Sequence, residues 1–214
     1  MKYGVIILRA QPFHIGHIYV INEMLRENDK VLVIVGSANK SGTERNPLDI
    51  DFRMDMVRKS LVDAGLIVDN LGLNKAASDK AASDKTALDK TTSRVKIMSL
   101  CDWSMESAYA LAKEWGSYLY YNVVNAIAQK EFSLYYNDDK KIAENWFVPE
   151  LQPRVTICNT PRGDIDVSGT QIREALLNND DEYLKTALTP SVYEMREQIK
   201  DAIVNAKGED FIMQ

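Results

Sequence analysis

His14 and His17 are the only histidines in this sequence, three residues apart within the run Arg9-Ala10-Gln11-Pro12-Phe13-His14-Ile15-Gly16-His17. If a helix begins near His14, residues three apart share one face of its first turn. That turn also presents unpaired backbone N–H groups and the positive end of the helix dipole. Two imidazoles placed there can donate hydrogen bonds to phosphate oxygens and to charge developing in a transition state. Gly16 removes a side chain where a nucleotide has to approach the backbone. A histidine-based metal site does not follow, because no third ligand stands at a suitable spacing.

A second constellation lies far along the chain, at Val167-Ser168-Gly169-Thr170-Gln171-Ile172-Arg173. Ser168 and Gln171 have capping-box spacing, which by itself is a structural feature. Thr170 and Arg173 lie three apart on the first turn of the helix that follows. A guanidinium fork and hydroxyls at a helix start make a polyphosphate site. Between the two constellations, Gly36 to Pro47 (GSANKSGTERNP) combines small residues, hydroxyls and amides, and Arg53 opens the next helix. At the carboxyl end of a strand such a loop suits phosphate and ribose contacts. It also reads as an ordinary polar loop ended by Asn-Pro.

The elements that must hold these residues follow from periodicity. Tyr3 to Leu8 and Lys30 to Val35 are short apolar runs rich in β-branched residues, as in parallel strands buried on both faces. Between them Ile18, Ile21, Met24 and Leu25 recur at helical spacing, completing a right-handed βαβ unit. Asp49 or Asp51 caps a further helix running to Ala64, with Gly65 as its stop signal. Val95 to Leu100 reads as a third strand, and Met105 to Lys130 as helix broken near Gly116. Phe132 to Tyr136 and Arg154 to Cys158 read as strands four and five. Thr170 to Leu177 and Ser191 to Val204 close the chain as helices. Alternating strands and helices specify an α/β, doubly wound parallel sheet with C-terminal helices. Ligands bind such sheets at the carboxyl ends of the strands, where the strand order switches. The His14 motif falls there.

A chain of 214 residues supports one sizeable core, so residues 1–214 read as a single domain with closing helices from about 170. The insertion at about 75–93 stands apart: Lys75 to Asp89 is a pentapeptide repeat, KAASD-KAASD-KTALD. A period of five does not match the helical period, so its alanines form no stripe. It reads as a solvated insertion, with partner binding as the alternative. A net charge of -5 argues against a general nucleic-acid surface. Cys101 and Cys158 form neither a metal-ligand spacing nor a disulfide framework. No apolar run approaches the roughly 20 residues of a membrane span, and with no secretory pattern the expected compartment is the cytoplasm.

With these residues in view, the sequence resembles a known superfamily. His14-Ile15-Gly16-His17 after a first strand is similar to the signature of the HIGH-motif nucleotidyltransferases, which have a Rossmann-like fold. Val167 to Arg173 resembles their second motif, Ile-Ser-x-Thr-x-x-Arg, with Val167 in the Ile place. The longer Arg-x-Gln-Pro-Phe-His-x-Gly-His form, with the Gly36 to Arg53 pattern, resembles the nicotinamide mononucleotide (NMN) adenylyltransferases of archaeal type. One departure is Phe52-Arg53, where that family often has Glu-Arg.

The resemblance implies adenylyl transfer from ATP to NMN, giving NAD and pyrophosphate. It implies His14, His17 and Arg173 as catalytic residues. ATP contacts would fall on Arg9, Gln11, Phe13, His14, Gly16 and His17, and on Asn137, Ser168, Gly169, Thr170 and Arg173. NMN contacts would fall on Lys40, Thr43, Asn46, Arg53 and Asp102, with Trp103 and Trp115 competing to carry the nicotinamide ring. Mg²⁺ would bridge substrate phosphates without a protein carboxylate cage. Family members often form homo-oligomers. The alternatives are a sibling enzyme, such as pantetheine-phosphate adenylyltransferase or a cytidylyltransferase, and a non-catalytic nucleotide or NAD sensor.

Overall fold

The computed structural model describes residues 1–66, 68–70, 93–102, 112–137, 140–160 and 165–210. The repeat at Lys75 to Asp89, Trp103 and the start of the helix read from Met105 lie outside these residues. Six strands form one parallel sheet: β1 Tyr3–Leu8, β2 Lys30–Val35, β3 Val68–Asn70, β4 Val95–Ser99, β5 Phe132–Tyr136 and β6 Val155–Asn159. Their order is β3-β4-β2-β1-β5-β6. Chain order therefore reverses direction at β1, which pairs with β2 on one side and β5 on the other. The crevice beyond Leu8 is the topological switch point.

Alternation along the strands builds two cores, one on each face. Val31, Val33 and Val35 point into one core, and Leu32 and Ile34 into the other. Successive strand side chains face opposite ways, so an unbroken apolar run feeds both layers. The first layer packs α1 (Ile15–Glu27), α2 (Ile50–Asp63) and the C-terminal helices α5 (Gly169–Asn178), α6 (Asp181–Ala187), α7 (Pro190–Glu194) and α8 (Arg196–Asp210). The second packs α3 (Ala112–Ile127) and the segment around Phe147 and Leu151, just after the short α4 (Lys140–Glu144). This is the doubly wound α/β architecture expected from the sequence.

Several details, the short α4 among them, differ from the sequence reading. β3 adds a strand ahead of the one at Val95; it has only three residues and pairs with β4 alone, too short to show a periodicity. α3 runs without a break through Gly116. A Cβ at Gly116 would sit 1.8 Å from the Trp146 carbonyl oxygen, so this glycine admits a crossing chain rather than ending the helix. α6 was not expected, and Asp180 caps it by accepting from the Tyr183 amide. The closing helix read from Ser191 is two helices, α7 and α8, meeting at Met195. At α2 the choice of cap is resolved: the Asp49 carboxylate accepts from the Phe52 amide at 2.8 Å.

Candidate active site

α1 begins immediately after His14, which is its N-cap in extended conformation. The first motif thus spans the turn from the carboxyl end of β1 into the first turn of α1. The two imidazoles lie against each other, with ring centroids 3.7 Å apart and planes inclined at 33°. Phe13 stacks on the far side of His17 at 4.8 Å and 20°. The His14 backbone N–H donates to His17 Nδ1 at 3.2 Å. In a neutral ring that places the proton on Nε2, leaving an N–H for a ligand. His14 is buried, and its Nδ1 has no partner. Burial lowers the His14 pKa to about 4. Burial, and then repulsion from His14, hold His17 well below the ordinary histidine range. Both rings are therefore neutral at pH 7, so each can offer an N–H to a ligand without being a fixed cation.

Gly16, which lines the cavity at the carboxyl end of the sheet, has a local reason as well. A Cβ there would stand 3.0 Å from His14 Nδ1 and 3.1 Å from its Cε1. The missing side chain makes room for the imidazole in the first place.

The second motif docks against the first. Ser168 caps α5, its hydroxyl accepting from the Gln171 amide at 3.2 Å. Arg173 Nη1 donates to the Gln11 carbonyl at 2.8 Å, and its Nη2 donates to Thr170 Oγ1 at 3.2 Å. A Cβ on Gly169 would come within 3.0 Å of that same Gln11 carbonyl. Two helix starts, far apart in sequence, so converge on one loop. Arg9 is exposed. Burial of part of its side chain, then repulsion from Arg45 and, more weakly, Arg173, lowers its pKa, and Asp102 partly offsets this. Arg45 and Arg173 each lie near enough to Arg9 to repel its charge, which favours an anion beside Arg9.

Beside these groups lies a cavity of about 910 Å³ at the carboxyl end of the sheet. Arg9, His14, Gly16, His17, Asp102, Trp115, Asn137 and Ser168 all line it. Other expected residues do not. Phe13 is fully buried behind His17. The Gln11 amide is turned to the main chain of Leu48, donating to its carbonyl at 3.1 Å and accepting from its N–H at 3.0 Å. The Asn46 N–H donates to the Thr43 carbonyl at 3.0 Å and to Thr43 Oγ1 at 3.1 Å, closing a tight turn around Arg45. Lys40 Nζ pairs with Asp102 at 2.7 Å, and Ser37 Oγ donates to the other Asp102 oxygen at 3.1 Å. Arg53 makes no ligand-facing contact: it is completely buried, and its guanidinium is spent on backbone carbonyls. In these cases the motif residue shapes the loop rather than facing the cavity.

Sequence reasoning gave no site role to Arg45 or Trp146. The Trp146 ring meets Trp115 edge-on at 6.4 Å and Tyr136 at 5.0 Å, and all three line the cavity. Trp146 belongs to no motif, and only the chain crossing at Gly116 brings it there. Among the described residues no group of three or more His, Cys, Asp or Glu side chains can hold a metal ion, and no helix is long and apolar enough to cross a membrane.

Fold and site together define a Rossmann-like α/β unit whose crevice is built around two helix starts suited to phosphates. The cytidylyltransferase-like family model matches residues 9–175, and the chain belongs to that family. The nicotinamide-nucleotide adenylyltransferase of Saccharolobus solfataricus is 43% identical over 58 residues, covering 27% of this chain and 34% of that protein. The protein of the same name from Methanolobus tindarius is 39% identical over 66 residues, covering 31% and 38%. The matched stretches thus span little more than a third of these relatives' length. Among solved structures, a bifunctional NMN adenylyltransferase/ADP ribose pyrophosphatase from Francisella tularensis aligns with a TM-score of 0.64 at 18% identity, over 99% of this chain and 54% of that one. NadR protein in complex with NAD and AMP-PNP aligns with a TM-score of 0.57 at 19% identity, over 87% and 44%. At these identities the likeness is one of fold.

Proposed function

We propose that this chain transfers an adenylyl group from ATP to NMN, releasing NAD and pyrophosphate. The observation that carries the reading is the Arg173–Gln11 contact, which sets the α5 start against the His14 turn at the mouth of β1. A phosphate oxygen of NMN attacks the α-phosphorus of ATP, and the bond to the bridging oxygen breaks as pyrophosphate leaves. The attacking phosphate monoester is already ionised near neutral pH, so no general base is needed. Catalysis then rests on positioning and on spreading charge. The neutral N–H groups of His14 and His17 serve the ATP phosphates without reorganisation, and Arg9, Arg45 and Arg173 neutralise the polyanion. Ser168, Gly169 and Thr170 present the α5 start, and Asn137 stands at the end of β5 on the adenosine side. Asp102, held by Lys40, lies toward NMN, and the Trp115–Trp146 corner offers an aromatic wall for its ring.

Mg²⁺ fits this site only as a companion of the substrate. Of the carboxylates lining the cavity, Asp102 is tied to Lys40 and Asp166 stands alone, so phosphate oxygens and water supply the remaining ligands. The relatives' names support NMN as acceptor, and a structure of the bifunctional Francisella enzyme is complexed with AMP and a manganese ion. We place the enzyme in the cytoplasm as a single domain acting on small molecules, without nucleic-acid or membrane partners, and as a candidate homo-oligomer.

The decisive experiment follows pyrophosphate release from ATP with NMN, nicotinate mononucleotide or phosphopantetheine as acceptor. NMN should support the fastest turnover, and His17→Ala, assayed where the variant is still folded, should lower kcat by roughly a hundredfold or more, far more than it lowers stability. Faster turnover with phosphopantetheine would make it a sibling enzyme. Nucleotide binding without pyrophosphate release would make it a sensor.

A further inference from the structure

Arg53 is a completely buried cation within the site's own scaffold. Its Nε donates to the Asp49 carbonyl at 3.2 Å. Nη1 donates to the carbonyls of Arg9 at 3.0 Å and Gly36 at 2.8 Å, and Nη2 to those of Ser37 at 3.0 Å and Lys40 at 3.4 Å. These five acceptors come from three stretches of chain: the residue that follows β1, the loop that follows β2, and the cap of α2. Beyond Leu8 and Val35 the parallel ladder between β1 and β2 has ended. There the Gly36 N–H still reaches the Leu8 carbonyl at 2.9 Å. The guanidinium takes over where the ladder stops. Its planar fork can satisfy several divergent carbonyls at once, which the single ammonium of a lysine cannot reproduce.

We infer that Arg53 is a positioning residue, fixing Arg9 on one loop relative to Ser37 and Lys40 on the other. It thereby sets where Arg9 stands relative to the loop whose Ser37 and Lys40 hold Asp102. The catalytic consequence rests on the adenylyl-transfer reading; the tie between the loops does not. No substrate contact is needed for Arg53 to matter, because the cavity is bounded by groups whose main chain it holds.

The test uses the full chain with Arg53→Lys, which keeps the charge, and Arg53→Gln as a second variant that keeps two amide donors. Amide hydrogen exchange should accelerate by about tenfold or more in residues 9–13 and 36–40, while β1, β2 and β5 keep their protection. At a temperature where circular dichroism shows the variant folded, kcat should fall by about 10–100-fold, with KM for ATP changing less. Unchanged exchange in those two segments overturns the inference. So does a uniform rise across the core strands, which marks a purely structural residue. A raised KM with kcat untouched also overturns it, since that is the signature of direct substrate contact. If the unmodified protein releases no pyrophosphate with any acceptor, the functional reading fails, and the exchange data still decide the role of Arg53.

Discussion

At the scale of single residues, the histidine pair shows how environment sets chemistry. His14 is charged in the unfolded chain below about pH 6.5, whereas burial keeps the folded imidazole neutral down to about pH 4. The unfolded state therefore binds the extra proton between these two values, and stability falls as pH drops through that window. Above pH 6.5 the effect vanishes. For His14 alone the loss by pH 4 amounts to about 3 kcal/mol. Denaturant midpoints measured from pH 7.5 to 4.5 should fall more steeply for the unmodified protein than for His14→Asn; parallel curves would sink the idea. Residue types in the first motif were legible as phosphate chemistry, but their division of labour was not. Gln11 and Phe13 of that motif, and Arg53 beyond the Gly36 loop, read as ligand contacts by type, yet their side chains face the main chain or the core. Which way a side chain leaves a turn depends on backbone angles that a string of letters does not contain.

At the scale of elements, α3 is the instructive case. A glycine within an apolar helical pattern reads as a stop, since it costs roughly 1 kcal/mol against alanine. Here that cost is offset by close packing, because the chain at Trp146 and Phe147 crosses directly over Gly116. Lys113 Nζ adds a hydrogen bond to the Phe147 carbonyl at 2.9 Å. Gly116→Ala should therefore destabilise by about 1–3 kcal/mol through overpacking. It should also push Trp146 away from the cavity wall, so KM for the mononucleotide rises more than KM for ATP. A variant with native melting temperature and native KM values would contradict both parts. The strands at Tyr3, Lys30, Val95, Phe132 and Val155 were legible because each is a short segment rich in β-branched, aromatic or other apolar residues. β3 and α6 were not, because three to seven residues give a periodic pattern too little length to register.

At the scale of the whole molecule, the site depends on a core that its motifs do not touch. α7 and α8 close the first layer over α2: Val192, Ile199 and Ile203 are buried, Ser60 and Thr189 share a buried hydrogen bond at 3.0 Å, and Ser191 bonds twice to Asp63. Each such aliphatic side chain contributes roughly 1.5–3 kcal/mol on burial, against a total stability of about 5–15 kcal/mol for a domain. Truncation after Leu188 should thus abolish cooperative unfolding and nucleotide binding, although His14, His17 and Arg173 all remain; a cooperative melt in the truncated chain would disprove this. The sequence by itself determined the α/β class, the strand that carries His14 and the pairing of two phosphate-suited helix starts. Those properties are written in local periodicity and in residue types whose chemistry is independent of context. Only the tertiary structure decided the full strand order β3-β4-β2-β1-β5-β6, that Arg173 reaches Gln11, that Arg53 ties two loops together and that Trp146 joins the cavity. Each of these is a meeting of residues distant in the chain. Such meetings are settled by how the two layers pack on the sheet, a property of the assembled core and of no segment within it.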